Sequence, residues 1–133
     1  MAVRVTGSLL DTSVLIARSE TAALELPETA AISVITLGEL RAGVLIARDE
    51  TIAEERGRRL AAVRAAFAPL PVDESVAEHY GEVLAVAHSQ RRTAKATDLL
   101  IIATAAATVR RLYTLDGAQA RLAQDAGVAT TLL

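Results

Sequence analysis

Four carboxylates stand out by their position: Asp11 in Leu9-Leu10-Asp11-Thr12-Ser13, Glu39 in Thr36-Leu37-Gly38-Glu39-Leu40, Asp98 just ahead of Leu99-Leu100-Ile101-Ile102-Ala103, and Asp116 in Tyr113-Thr114-Leu115-Asp116-Gly117. Each has a plain structural explanation. Thr36-x-x-Glu39 matches a capping box, in which Glu39 reaches back to a backbone N–H. Asp11, Asp98 and Asp116 could each cap or begin a helix, where free N–H groups and the helix dipole favour a carboxylate. Capping explains the acids singly but not their gathering at one edge of a sheet. Carboxylates held close together repel, and a bound divalent cation keeps them ionised at least cost. Magnesium suits such a set because it prefers oxygen ligands and keeps several waters. A metal there lowers the pKa of bound water and neutralises charge on a phosphoryl oxygen, and a pair about 4 Å apart would clamp the attacking and leaving oxygens. Phosphodiester hydrolysis is the reaction class that needs those services.

The elements must place the acids together. Gly7 to Leu10 is an apolar run ending at Asp11, with a short helix over about Thr12 to Ser19. Ala31 to Val34 reads as a second strand and Thr36 to Ala47 as a helix with Glu39 in its first turn. Glu50 to Ala68 is a long helix with Ile52, Leu60, Val63 and Phe67 among its apolar positions, Leu70 to Val72 an extended link, and Ser75 to Arg91 another helix. Thr97 or Asp98 opens a helix to Thr108 that is apolar all round and therefore buried. Arg111 to Leu115 is a strand, Gly117 to Ala126 a helix, and Val128 to Leu132 a last strand, with Gly127 where a helix C-cap glycine is expected. Strands alternating with helices predict a parallel sheet covered on both faces, whose functional crevice lies at the carboxyl ends of the strands. The chain of 133 residues fits one domain spanning 1–133.

Hydrophobic residues make up 52% of the chain and mean hydropathy is +0.35, high for a soluble protein, so the core is large or a partner covers apolar surface. The longest apolar stretch, Leu99 to Val109, is too short to span a bilayer of roughly 30 Å. Asp11, Thr12 and Ser13 interrupt the early apolar run, so no signal peptide is expected. The absence of Cys excludes thiolate zinc sites and suits a cytoplasmic protein. Net charge is −2, which does not announce a nucleic-acid partner, but basic residues cluster at Arg56, Arg58, Arg59 and Arg64, at Arg91, Arg92 and Lys95, and at Arg110 and Arg111. Aromatics are only 2%, too few for a base-stacking platform. Phosphate loops, dinucleotide fingerprints and serine-hydrolase elbows are absent. His79 and His88 lie about 180° apart around a helix and cannot share a metal from one face. His79 with Glu82 could chelate at i, i+3, but a solvated helix surface explains the pair.

The motifs resemble the PIN-domain family, particularly the VapC-type toxins of bacterial toxin–antitoxin pairs. The resemblance is carried by Leu10-Asp11-Thr12-Ser13-Val14-Leu15-Ile16, Thr36-x-x-Glu39-Leu40-x-x-Gly43 and Thr97-Asp98-Leu99-Leu100-Ile101-Ile102-Ala103-Thr104-Ala105, in that order and spacing, and runs nearly the whole chain. It implies a three-layer α/β/α fold with a parallel central sheet of four to five strands. It also implies a Mg²⁺- or Mn²⁺-dependent endoribonuclease toxin that inhibits translation and is neutralised by a VapB-like antitoxin. By resemblance the metal ligands and catalytic acids are Asp11, Glu39, Asp98 and Asp116, with Thr12, Ser13 and Thr114 positioning carboxylates, water or phosphate. Many relatives carry a further acidic residue or Asn just after the fourth acid, whereas Gly117-Ala118-Gln119-Ala120 follows Asp116 here. A homodimer, and a higher assembly with the antitoxin, are also implied. Three other readings compete: a phosphate-handling enzyme on a similar sheet, a catalytically silent PIN fold acting as a binding module, and a DNA-cutting nuclease, since nothing in the sequence discriminates ribose from deoxyribose. A dehalogenase-type phosphatase wants a second Asp where Ser13 and Val14 stand, and a receiver wants a late Lys where Lys95 precedes a helix.

Overall fold

Side chains alternate across a strand, so neighbouring residues of each short apolar run must pack on opposite faces. The computed structural model, which describes residues 5–20, 26–27 and 29–133, shows this alternation in three strands at once. Leu9, Ala31 and Leu112 face a core built with Val83, Ala87, Leu99, Ile101, Ile102, Ala105, Leu122 and Ala123. Leu10 and Ile32, with the partly buried Tyr113, face a second core of Val14, Leu15, Leu40, Leu60 and Val63.

The described residues form β1 (Ser8–Leu10), α1 (Thr12–Glu20), β2 (Ala30–Ser33), α2 (Val34–Leu45), α3 (Glu50–Ala66), β3 (Pro69–Leu70), α4 (Glu74–Ser89), α5 (Ala96–Ala107), β4 (Arg111–Thr114), α6 (Gly117–Asp125) and β5 (Thr130–Leu132). The strands make one five-stranded sheet in the order β3-β2-β1-β4-β5. All pairings are parallel, with Leu9 opposite Ala31 and Leu112, and Thr114 opposite Leu132. The first core places α4, α5 and α6 against one face and the second places α1, α2 and α3 against the other, which is a three-layer α/β/α architecture. From β1 the chain first adds β2 and β3 on one side and later β4 and β5 on the other. The switch in direction falls between β1 and β4, where an open α/β sheet leaves a crevice at its carboxyl edge.

Two local readings of the sequence are corrected. Leu70 to Val72 is not merely a link, because Pro69 and Leu70 pair with Ile32 and Ser33 as an edge strand. An edge position tolerates a proline, which has no N–H to give. Helix α2 opens at Val34, capped by Ser33 accepting from Ile35 N, so Glu39 lies in its second turn and is not part of a capping box with Thr36. Helix α5 is buried along Leu99 and Ile101 to Ala105. No helix among the described residues is long and apolar enough to cross a membrane.

Three helices end in the same way, with two crossed backbone bonds and a left-handed residue. In α6 that residue is Gly127 at φ 81, as its sequence position predicts; in α4 it is Arg91 and in α5 Val109, both at φ 54. Val109 N donates to Ala106 O and Arg110 N to Ala105 O, which fixes Val109 in a conformation that a β-branched residue rarely adopts. Left-handed backbone costs an L-residue roughly 1–2 kcal/mol, part of which glycine's extra chain entropy takes back. Val109→Gly is therefore expected to stabilise the fold by about 0.5–1 kcal/mol. A urea midpoint that fails to rise would contradict this.

Candidate active site at the switch point of the sheet

Asp11 immediately follows β1, and its backbone N–H donates 2.9 Å to Tyr113 O of the neighbouring β4. It is only 6% exposed and yet forms no ion pair among the described residues. Neutral donors hold it instead. Oδ2 accepts from Ser13 N at 3.1 Å and Ser13 Oγ at 2.6 Å, while Oδ1 accepts from Gln119 Nε2 at 3.1 Å. Thr114 Oγ1 stands 3.3 Å from Asp11 Oδ2 and 2.6 Å from Gln119 Oε1. A hydroxyl has one proton, and the shorter contact takes it, so Thr114 donates to Gln119 and accepts from Asp116 N at 3.0 Å.

Glu39 approaches from α2. Thr12 Oγ1 donates to Glu39 Oε1 at 2.7 Å and also lies 3.0 Å from Thr36 Oγ1, which is fully buried. Asp116 is exposed and caps α6, its Oδ1 accepting from Ala118 N at 2.9 Å and Gln119 N at 3.2 Å. The capping explanation therefore holds for Asp116, with the second oxygen left over. Asp98 is the third residue of α5, behind Lys95, which makes no side-chain cap. Burial pushes the Asp98 carboxyl up to about 6, and the charges of Asp11, Asp116 and Glu39 push in the same direction against the pull of Lys95. Asp11, Asp116 and Glu39 thus all lie within electrostatic reach of Asp98.

Whether these residues suit a divalent cation can be judged from the donors themselves. All are oxygens, the carboxylates outnumber the one opposing cation at Asp98, and burial first, then the neighbouring negative charges, raise its carboxyl. Among the described residues, no three acidic or histidine side chains stand as a closed chelating group. Magnesium does not require one, since it is commonly held by one or two carboxylates with waters completing its shell. The donor set fits a hydrated ion rather than an all-protein cage.

A cleft of about 380 Å³ opens beside Asp98 and Asp116 and is walled by Arg92, Lys95, Gln119 and Arg121. Arg92 pairs with Asp125 at 3.0 Å, the one ion pair among the described residues, so Lys95 and Arg121 remain without carboxylate partners. Neither Gln119 nor Arg121 is conspicuous in the sequence as a site residue. Gln119 is 3% exposed on the face of α6 that also buries Leu122 and Ala123. A polar side chain on an apolar helix face was the one available signal. A larger depression of about 740 Å³ lies at the other edge of the sheet, near Val5, Val109 and Ala129, and contains none of the four acids. His79 and Glu82 line it, with His79 Nδ1 2.8 Å from Ser75 O of its own helix.

The fold and the carboxylates at its switch point define a class. Residues 8–125 match the model of the PIN domain, and the chain belongs to the PIN-domain family. Among its relatives is Ribonuclease VapC8 of Mycobacterium tuberculosis strain H37Rv, 44% identical over 100 residues that cover 73% of this chain and 88% of the relative. Ribonuclease VapC5 of the same strain is 37% identical over 114 residues, covering 83% of each. The crystal structure of VapBC-5 from Mycobacterium tuberculosis, a member of the VapBC family of toxin–antitoxin systems, superposes with a TM-score of 0.83 at 34% identity, over 96% of this chain and 98% of that one.

Proposed function

We propose that this chain is a metal-dependent endoribonuclease, the toxin of a toxin–antitoxin pair, which cuts cytoplasmic RNA and so arrests translation. The observation that carries the reading is the crowding of Asp11, Glu39 and Asp116 around a half-buried Asp98 whose carboxyl is raised to about 6. Kinship with relatives named ribonucleases supports it. Asp11 and Asp98 would hold Mg²⁺ or Mn²⁺, with Glu39 and the free oxygen of Asp116 completing the set. When bound, the ion supplies an activated water and neutralises charge on the phosphoryl oxygen.

The chain's own groups do the rest. Ser13 and Gln119 fix the orientation of Asp11, and Thr12 fixes that of Glu39. Lys95 and Arg121 line the cleft beside Asp98 and seat backbone phosphates of the RNA strand, drawing a polyanion toward an acidic centre that would otherwise repel it. The partner that restrains the toxin is a small VapB-like antitoxin, and a homodimer is the assembly unit. Leu45 and Ile46, 66% and 77% exposed at the end of α2, are apolar surface that such partners would cover.

Purified protein freed of any partner is expected to cleave RNA with Mg²⁺ or Mn²⁺ and to be silent in EDTA; undiminished cleavage in EDTA would sink the metal mechanism. Replacing Lys95 and Arg121 together by Ala should weaken RNA binding about equally for all sequences. It should also flatten the slope of log K against log salt by about 1.4, two single-strand phosphate contacts at about 0.7 each. An unchanged slope would remove the strand from this cleft.

A further inference from the structure

Asp11 has two oxygens, each with about two places for a donor or a cation. Both places on Oδ2 are filled by Ser13, through its backbone N–H at 3.1 Å and its hydroxyl at 2.6 Å. On Oδ1 one place is filled, by Gln119 Nε2 at 3.1 Å. One place remains. The amide is itself held: facing a carboxylate, Gln119 must present its nitrogen, and its Oε1 then takes the Thr114 proton at 2.6 Å. Its backbone N–H donates 3.2 Å to Asp116 Oδ1. Gln119 therefore touches the carboxylate that follows β1 and the one that follows β4, and it is 3% exposed, so water does not stand in for it.

From this we infer that Gln119 is a positioning residue for the metal centre: it leaves a single place on Asp11 Oδ1 open to a cation and ties Asp11 to Asp116 across the switch point. The inference rests on the metal reading proposed above. A neutral amide is the right instrument, because it orients Asp11 without cancelling its charge, as an Arg or Lys in the same place would. The sequence that follows Asp116 lacks the extra acid or Asn expected by resemblance, and Gln119 supplies an uncharged polar group three residues on. Groups that orient a metal-binding carboxylate are commonly worth 10- to 100-fold in metal affinity.

The test compares Mn²⁺ binding, without RNA, in the wild-type chain and two variants. Gln119→Leu removes both polar atoms at similar volume. Mn²⁺ affinity by isothermal titration should fall about 10- to 100-fold, and the rise in melting temperature that Mn²⁺ produces should shrink. Gln119→Glu keeps the length but offers no N–H and adds a charge facing Asp11. Its melting temperature without metal should fall, and its rise with Mn²⁺ should exceed the wild type's. A packing role alone would lower the melting temperature equally with and without metal, leaving the Mn²⁺-induced rise at its wild-type size in both variants. That result overturns the inference. Should Gln119→Leu fail to fold, Gln119→Glu decides the matter alone. Mn²⁺ binding without RNA cleavage in the wild type would sink the nuclease reading and leave this one standing, whereas a wild type indifferent to Mn²⁺ would overturn both.

Discussion

Asp98→Asn is expected to cut RNA cleavage by on the order of 10²-fold or more while making the metal-free protein more stable than the wild type. The loss of activity follows because a carboxylate at the centre of the acidic set is what would hold the cation, and the transition-state charge that a metal stabilises is worth several kcal/mol. The gain in stability follows from the opposite side of the same arrangement. Asp98 is half-buried, receives no hydrogen bond among the described residues, and is surrounded by Asp11, Asp116 and Glu39. Asn has the same shape without the charge. Allowing for solvent screening of a half-exposed group, relief of the burial of this charge and of the repulsion is worth about 1 kcal/mol.

The pH dependence has a definite sign. In the unfolded chain Asp98 ionises near 3.8, whereas in the fold it holds its proton to about 6. Between those values the native state binds more protons than the unfolded one, so stability falls as pH rises through that window and the full cost is present above it. The stability difference between Asp98→Asn and wild type should be small near pH 4 and reach its plateau above about pH 6. Mn²⁺ requires the ionised carboxylate, so its affinity for the wild type should climb through the same range. Melting curves at a series of pH values, with and without Mn²⁺, read both effects. A variant less stable than wild type at pH 7, or one that cleaves RNA at the wild-type rate, would contradict the account.

Much of this was legible in the sequence because burial leaves a pattern. Leu9-Leu10 followed by Asp11 and Leu112 to Thr114 followed by Asp116 mark strands whose carboxyl ends turn polar, and the all-apolar run after Asp98 can only be a buried helix. What escaped depends on partners distant along the chain. Strand β3 is two residues long and becomes a strand only by pairing with β2. Glu39 moves from a first turn to a second because Ser33, not Thr36, takes the cap. A glutamine in a helix is ordinarily a surface residue; Gln119 matters because α6 lays it against Asp11, 108 residues away. The unpaired Lys95 and Arg121 share a cleft only once α5 and α6 have packed.

Thr114→Val tests whether the hydrogen-bonded chain beneath the acids is also part of what holds the fold. Thr114 is fully buried, and its hydroxyl gives its proton to Gln119 Oε1 while taking one from Asp116 N. Valine fills the same space and offers neither. A buried group left unsatisfied costs about 1–3 kcal/mol, so stranding the Gln119 carbonyl and the Asp116 N–H together should destabilise by about 2–4 kcal/mol. Thr114→Ser keeps the hydroxyl and should recover most of that loss. The discriminating variant is the double one, Thr114→Val with Gln119→Leu. Removing both partners of a buried hydrogen bond is far less harmful than orphaning one, so the double variant should be more stable than the sum of the single losses predicts, by about 1 kcal/mol or more. Strict additivity in urea denaturation would mean that the two side chains act independently. The chain from Asp116 through Thr114 and Gln119 to Asp11 would then be a set of separate contacts, whereas coupling makes it one polar unit across the switch point, whose cooperativity keeps Asp11 oriented without a counter-charge.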